Sequence, residues 1–244
     1  MDVIIITKHL HLLLIMLGIC IAFLCASAAC VATQETIPAT ETRTITDMTG
    51  RTVTVPSDIK SILCTSPPST NIVYMVAPDR LAGWSFEPEK DYIPEKYAAL
   101  PVVGGWFGKE AGNYENFISM RPDIIFEGYT TDGGAAAVTI AERQEKMGSI
   151  PVVAIEDCNN ATGYSAPIRF IGELLGEEDQ AGAMITFYED MLAMVAERTA
   201  SIPDDERVTV YYAEGPRGLA TDPSGSFHSE LIELCGGRNI ADCA

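Results

Sequence analysis

"EEDQAGAMITFYEDMLAMVAERTAS", from Glu177 to Ser201, runs for about 25 residues without a proline and spans about 37 Å if helical throughout. Ala181, Met184, Ile185, Tyr188, Met191, Leu192 and Val195 recur at helical spacing. The length exceeds an ordinary crossover and suits a spar between two lobes. Its methionine-rich stripe reads as core packing.

On the N-terminal side of this spar, strand and helix signals alternate. "RTITDMTGRTVTVP" (Arg43–Pro56) alternates about Asp47-Met48-Thr49-Gly50, a hairpin signal. Ser61–Thr65 is a short apolar strand. "SPPSTNIVYMVA" then predicts a helix with Ser66 or Ser69 as cap and Pro67 or Pro68 in its first turn. "RLAGWS", "PVVGG", "PDIIFEG" and "IPVVAIE" read as further strands. "AAVTIAERQEKMG" and "YSAPIRFIGELLG" read as helices stopped by Gly148 and Gly176. This order predicts an α/β fold with parallel strands and helices on both faces. Past the spar, "RVTVYYAEG" predicts a new strand and "SFHSELIELCGG" a new helix.

In such sheets ligands sit beyond the carboxyl ends of the strands. The segments there are Ser66–Thr70, Trp84–Phe86, Gly104–Gly108 and Gly128–Thr131. They supply Trp84, Phe86, Trp106, Phe107 and Tyr129. One such ring usually caps a sheet core. Several rings converging on one edge favour a ligand surface.

A formal net charge of −18 over 244 residues, with no run of Lys and Arg, excludes a nucleic-acid partner. At the N-terminus, Lys8, His9 and His11 precede an apolar run from Leu12 to Leu24, followed by Cys25-Ala26-Ser27-Ala28-Ala29-Cys30. This reads as a secretory signal over 1–29. The small residues before Cys30 resemble a lipobox, except that Ser27 stands where leucine is usual. Lipidation of Cys30, plain cleavage and an uncleaved anchor stay open. Residues 30–42 read as a tether from the membrane.

Past the signal the cysteines are Cys64, Cys158, Cys235 and Cys243, at no zinc spacing. A Cys235–Cys243 disulfide and free thiols are both open. His228 is the only histidine left, which counts against a metal site and against most histidine-based catalysis. No Gly-x-Ser-x-Gly elbow, phosphate loop or His-Glu-x-x-His occurs, so no catalytic residue is expected.

The ordered set "TDMTGRTVTVPSDIKSIL", "LPVVGG", "NYENFISMRPDIIF", "IGELLGEEDQA" and "ELIELCGGRNIAD" resembles the helical-backbone (class III) substrate-binding proteins of ABC importers, receptors for ferric siderophores, haem and cobalamin. The resemblance runs from about Arg43 to Asp242. It implies two Rossmann-like lobes joined by one long helix: an N-terminal binding lobe at 43–160, a connecting helix at 161–176, the inter-lobe helix at 177–201 and a C-terminal lobe at 202–244. Family members continue well past the Gly-Gly-x-Asn segment. Here Gly236-Gly237-Arg238-Asn239 is followed by five residues, so an incomplete second lobe is expected.

The resemblance also implies functions. A metal chelate would lie against Ser66, Pro67, Trp84, Phe86, Trp106, Phe107 and Tyr129, with Arg217 from the second lobe. Trp106→Ala is then expected to weaken binding by about 1–3 kcal/mol with little loss of stability. Glu115, in the first turn after the cap Asn113, favours the helix dipole and would also dock on permease arginines. The partners implied are the chelate, a permease with its ATPase, and the membrane through Cys30; no cofactor is implied. A chelatase-like enzyme on the same fold and an inactive fragment are the alternative readings.

Overall fold

The computed structural model describes residues 41–106, 112–158 and 160–241. The signal segment, Cys30, Phe107 and Cys243 lie outside the described residues. Among the described residues no helix is long and apolar enough to cross a membrane.

β1 (Thr42–Thr46) and β2 (Thr52–Pro56) form the antiparallel hairpin that the alternating pattern predicts. β1 begins inside the stretch read as tether. Asp47, 4% exposed, fixes the turn: its carboxylate accepts from the Thr49 and Arg51 backbone N–H groups, 3.0 and 2.9 Å away. It also accepts from the Ala154 N–H at 3.2 Å, and Arg51 donates to the Val152 carbonyl at 2.7 Å. One acid thus closes a turn and ties it to the edge of the main sheet, where backbone groups would otherwise lack partners.

That sheet consists of β3 (Ile62–Cys64), β4 (Ile124–Tyr129) and β5 (Val152–Glu156), all parallel, with Ile62 opposite Ile124 and Ile125 opposite Val152. Two of the expected strands shrink to single parallel bridges, Leu81 with Ile62 and Trp84 with Val102. They still extend the sheet beyond β3. Its spatial order is Val102, Leu81–Trp84, β3, β4, β5.

Both faces are covered, as a parallel sheet requires. Ile62, Cys64, Ile124, Phe126, Val153 and Ile155 face α1 (Pro67–Val76), α5 (Ser165–Leu175) and α6 (Glu178–Thr199). Leu63, Ile125, Val152 and Ala154 face Phe117 on α3 (Tyr114–Met120) and Ile140 on α4 (Gly133–Met147). A short α2 (Glu95–Ala98) lies between the bridges. Local signals set the ends: Ser66 caps α1, Asn113 caps α3, Asp132 caps α4, and α5 stops at Gly176 with φ +70°. α6 has 22 residues, about 33 Å of helix. It packs close to α5 at Gly172, where a Cβ would lie 2.4 Å from that of Ala181.

Beyond α6 the expected strand narrows to β6 (Thr209–Val210), paired in parallel with β7 (Arg238–Asn239), with α7 (Glu230–Leu234) between them. A parallel strand with one two-residue partner has little backbone to pair with. No apolar side chain after Ile185 is fully buried among the described residues, and Val208, Leu219 and Leu231 are 71%, 75% and 58% exposed.

Candidate functional site

After β3 the chain moves outward to Leu81–Trp84 and Val102, then returns to the other side of β3 as β4. The strand order therefore reverses between β3 and β4. A crevice opens at their carboxyl ends, the position where open α/β sheets hold ligands.

Gly128 forms its floor. A Cβ there would lie 2.1 Å from both the Ser66 Oγ and the Asp157 Oδ2. Glycine is thus required between the first turn of α1 and the end of β5. Buried hydroxyls pack beneath it on the α1 side. The Ser66 and Ser69 Oγ atoms are 2.7 Å apart, and Thr70 Oγ1 lies 2.7 Å from the Ser85 Oγ. Thr65 Oγ1 accepts from the Gly128 N–H at 3.2 Å.

The Trp106 loop crosses the end of β3. Its N–H donates to the Thr65 carbonyl at 3.0 Å, and a Cβ on Gly105 would sit 2.0 Å from that oxygen. Glycine therefore lets the loop lie flat on the strand. The half-buried Trp106 ring stacks near Phe117 and Tyr114, centroids 5.8 and 4.8 Å away. The Arg143 guanidinium lies 4.6 Å over it. Trp106 Nε1 donates to Glu127 Oε2 at 2.8 Å, and Glu127 also pairs with Arg143.

Two buried acids lie at these strand ends, Glu127 in the pocket lining and Asp157 against Gly128. Glu127 and Asp157 are each 3% exposed. Burial pushes Glu127 up to about 7 against the pull of Arg143. Burial pushes Asp157 up to about 7 as well, and neither of its oxygens has a hydrogen-bond partner. The nearby Ser66 hydroxyl and Ser69 N–H favour its carboxylate without closing a bond.

The predicted residues divide by location. Trp106 and Tyr129 share a pocket of about 260 Å³ with Glu127, Thr131 and Arg143. The Tyr129 hydroxyl donates to the Met48 carbonyl at 3.0 Å, so only its ring face serves the pocket. Ser66 is fully buried at the α1 cap. Pro67 opens onto a separate apolar groove of about 380 Å³, with Ile168, Tyr164 and Tyr188. Trp84 is 1% exposed and donates from Nε1 to the Tyr97 carbonyl at 2.9 Å, so it serves the core. Phe86 packs edge-on against it, centroids 5.7 Å apart, outside both cavities. Arg217 is exposed in the β6–α7 loop. Glu115 is exposed in the first turn of α3, its N–H held by Asn113 Oδ1 at 2.8 Å. Sequence reading missed Glu127, Arg143 and Asp157. The signal for the two acids was a carboxylate at the end of each apolar run, "IIFEG" and "VVAIED".

Residues 62–243 match the family model for periplasmic binding proteins. The chain belongs to that family. A curated relative, the uncharacterized ABC transporter substrate-binding lipoprotein YvrC of Bacillus subtilis (strain 168), is 24% identical over 200 residues, covering 81% of this chain and 60% of its own. Among solved structures, an ABC transporter solute binding protein from Sulfurospirillum deleyianum DSM 6946 superposes with a TM-score of 0.70 at 29% identity, covering 83% of this chain and 63% of that one. The molybdate binding protein MolA of Haemophilus influenzae shares the fold with a TM-score of 0.63 at 21% identity, over 82% and 66% of the two chains. This periplasmic binding protein chain thus spans about 60% of the length of the curated relative it matches.

Proposed function

We propose that the chain is the extracytoplasmic substrate-binding component of an ABC importer. It captures a metal chelate of the ferric siderophore, haem or cobalamin class and delivers it to a membrane permease through Glu115. The observation that carries this reading is the crevice at the β3/β4 reversal, walled by Trp106 and Tyr129 and floored by Gly128. Neighbours of the same fold bind molybdate, vitamin B12 and a ferric acinetobactin complex. A chelate suits this crevice better than a free oxyanion. The buried acid Glu127 lines its pocket, a second buried acid, Asp157, lies against Gly128 outside that lining, and the nearby cation, Arg143, is already paired with Glu127. The aromatic walls bury a conjugated face at low entropic cost.

Intrinsic tryptophan fluorescence tests the reading, titrating the full chain with haem, cyanocobalamin, several ferric siderophores and molybdate. Saturable quenching by one of the chelates, with the ligand recovered unchanged, is the expected result. Saturable binding of molybdate alone would overturn the chelate class, and turnover of the ligand would favour a chelatase-like enzyme.

A further inference from the structure

We infer that Glu214, Asp222 and His228 form a binding site for one divalent first-row transition ion in the segment beyond α6, independent of any chelate in the crevice. The three residues come from three different places: the bridge after β6, the following loop, and the turn before α7. One ligand atom from each lies within 4.8 Å of the others. His228 Nδ1 is 2.8 Å from Asp222 Oδ2 and 3.7 Å from Glu214 Oε1. Those separations bracket the roughly 3.4 Å between donors bound tetrahedrally at about 2.1 Å from zinc.

The charge balance favours an ion. Two carboxylates converge on one imidazole nitrogen, which carries at most one proton. Asp222 takes that contact, and Glu214 lies beyond hydrogen-bond reach of it. Among the described residues no Lys or Arg forms an ion pair with either carboxylate. A cation between the three donors satisfies all of them at once.

The surroundings hold the donors in place. Glu214 and Ala220 exchange backbone hydrogen bonds at 2.7 and 3.4 Å. Ser226 Oγ donates to Asp222 Oδ2 at 2.6 Å. Asn239, 3% exposed, donates to the Asp222 carbonyl at 2.8 Å, and Ser229, 1% exposed, donates to the Pro223 carbonyl at 2.6 Å. These two are the buried polar residues described past Asp157, and both clamp the loop that carries the donors. The same segment buries no apolar side chain fully, so a bound ion would supply order that packing does not. One imidazole nitrogen with two carboxylate oxygens suits zinc, manganese or iron(II) better than magnesium or calcium, which prefer all-oxygen shells. His228 is exposed, so water completes the coordination.

Calorimetry with Zn²⁺ and Co²⁺ absorption, on the tag-free full chain stripped by a chelator, test the site. The expected result is one equivalent of tight binding that excess Mg²⁺ does not displace. H228A and D222N should each weaken it at least about ten-fold while leaving far-ultraviolet circular dichroism unchanged. Binding of equal strength in H228A would place the ion elsewhere, for example at His9 and His11, and overturn the assignment. So would no binding in the unaltered chain, or displacement by Mg²⁺, which would mean an ordinary acidic surface.

Discussion

Replacing Asp157 with Asn removes a buried charge while keeping the shape, and its effect on stability has a calculable pH course. The Asp157 carboxyl rises from 3.8 to about 7 on folding, because burial penalises the charged form. The sign follows from linkage. Between these two values the unfolded chain has already lost the proton and the folded chain still holds it, so stability falls as pH rises. The loss is complete above about pH 7. The rise from 3.8 to about 7 corresponds to a ceiling of about 4 kcal/mol. D157N carries no such penalty. At about pH 4 the variant should be no more stable than the parent, since its amide also needs partners in a dry site. By about pH 8 it should be more stable by on the order of 2–4 kcal/mol. Urea melts followed by tryptophan emission suit the question, because both tryptophans, Trp84 and Trp106, lie in the lobe under test. The readout is the difference between the two proteins, which cancels the titration of the many surface carboxylates. A difference that stays flat from about pH 4 to about pH 8 would refute the reasoning, because it would mean that Asp157 ionises in the folded chain as it does in water.

Trp106→Phe keeps one aromatic ring but removes the second ring of the indole and leaves the Glu127 oxygen without its 2.8 Å donor, so stability should fall by about 1–3 kcal/mol in denaturant melts; an unchanged midpoint would mean that neither the bond nor the lost packing contributes. Glu115→Ala should leave ligand affinity intact and change stability by less than about 1 kcal/mol, while weakening binding to the permease in a reconstituted pull-down; undiminished capture by the permease would remove the docking role. In chelator-treated protein, backbone amides of 207–241 should exchange faster than those of β4, whose residues are all buried; equal protection would show that the segment beyond α6 is stable without a core.

Local chemistry was legible in the sequence, and convergence across the sheet was not. Asp47-x-x-Gly50, the Ser66 cap before two prolines, and the stops at Gly148 and Gly176 each act within a few residues. Each appears where the pattern placed it. Strand length was less legible. "RLAGWS" and "PVVGG" carry apolar residues but pair at single bridges, and "RVTVYYAEG" pairs over two residues because its neighbour offers two. The fate of a ring depended on contacts that no local pattern encodes. Trp84 and Trp106 both follow short apolar runs, yet the first is enclosed by Tyr74, Tyr97 and Phe86 while the second reaches the crevice. Glu127 meets Arg143 sixteen residues later only because α4 returns along the sheet face. His228 likewise meets Glu214 and Asp222 through a bend that their spacing does not announce.

The glycine-rich loop explains how one tryptophan serves both stability and recognition. Gly105 lets the backbone rest against the Thr65 carbonyl, where any Cβ would collide at 2.0 Å. That contact fixes the height of Trp106 above the end of β3. The indole then spends its polar edge on Glu127 and one face on Phe117 and Tyr114, and it still contributes to the pocket shared with Tyr129. An alanine at this position therefore removes more than a ligand contact. It strips a buried acid of its donor and opens a gap beside Phe117, so the expected weakening of binding comes with a loss of stability, contrary to what the sequence alone implies. Phenylalanine separates the two roles. It retains a six-membered stacking face for a conjugated ligand while losing the N–H and the second ring of the indole, so a chelate that binds by stacking should keep much of its affinity in Trp106→Phe even as the protein melts earlier. If affinity and stability fall together in that variant, the ring acts on the ligand through the fold and not by contact.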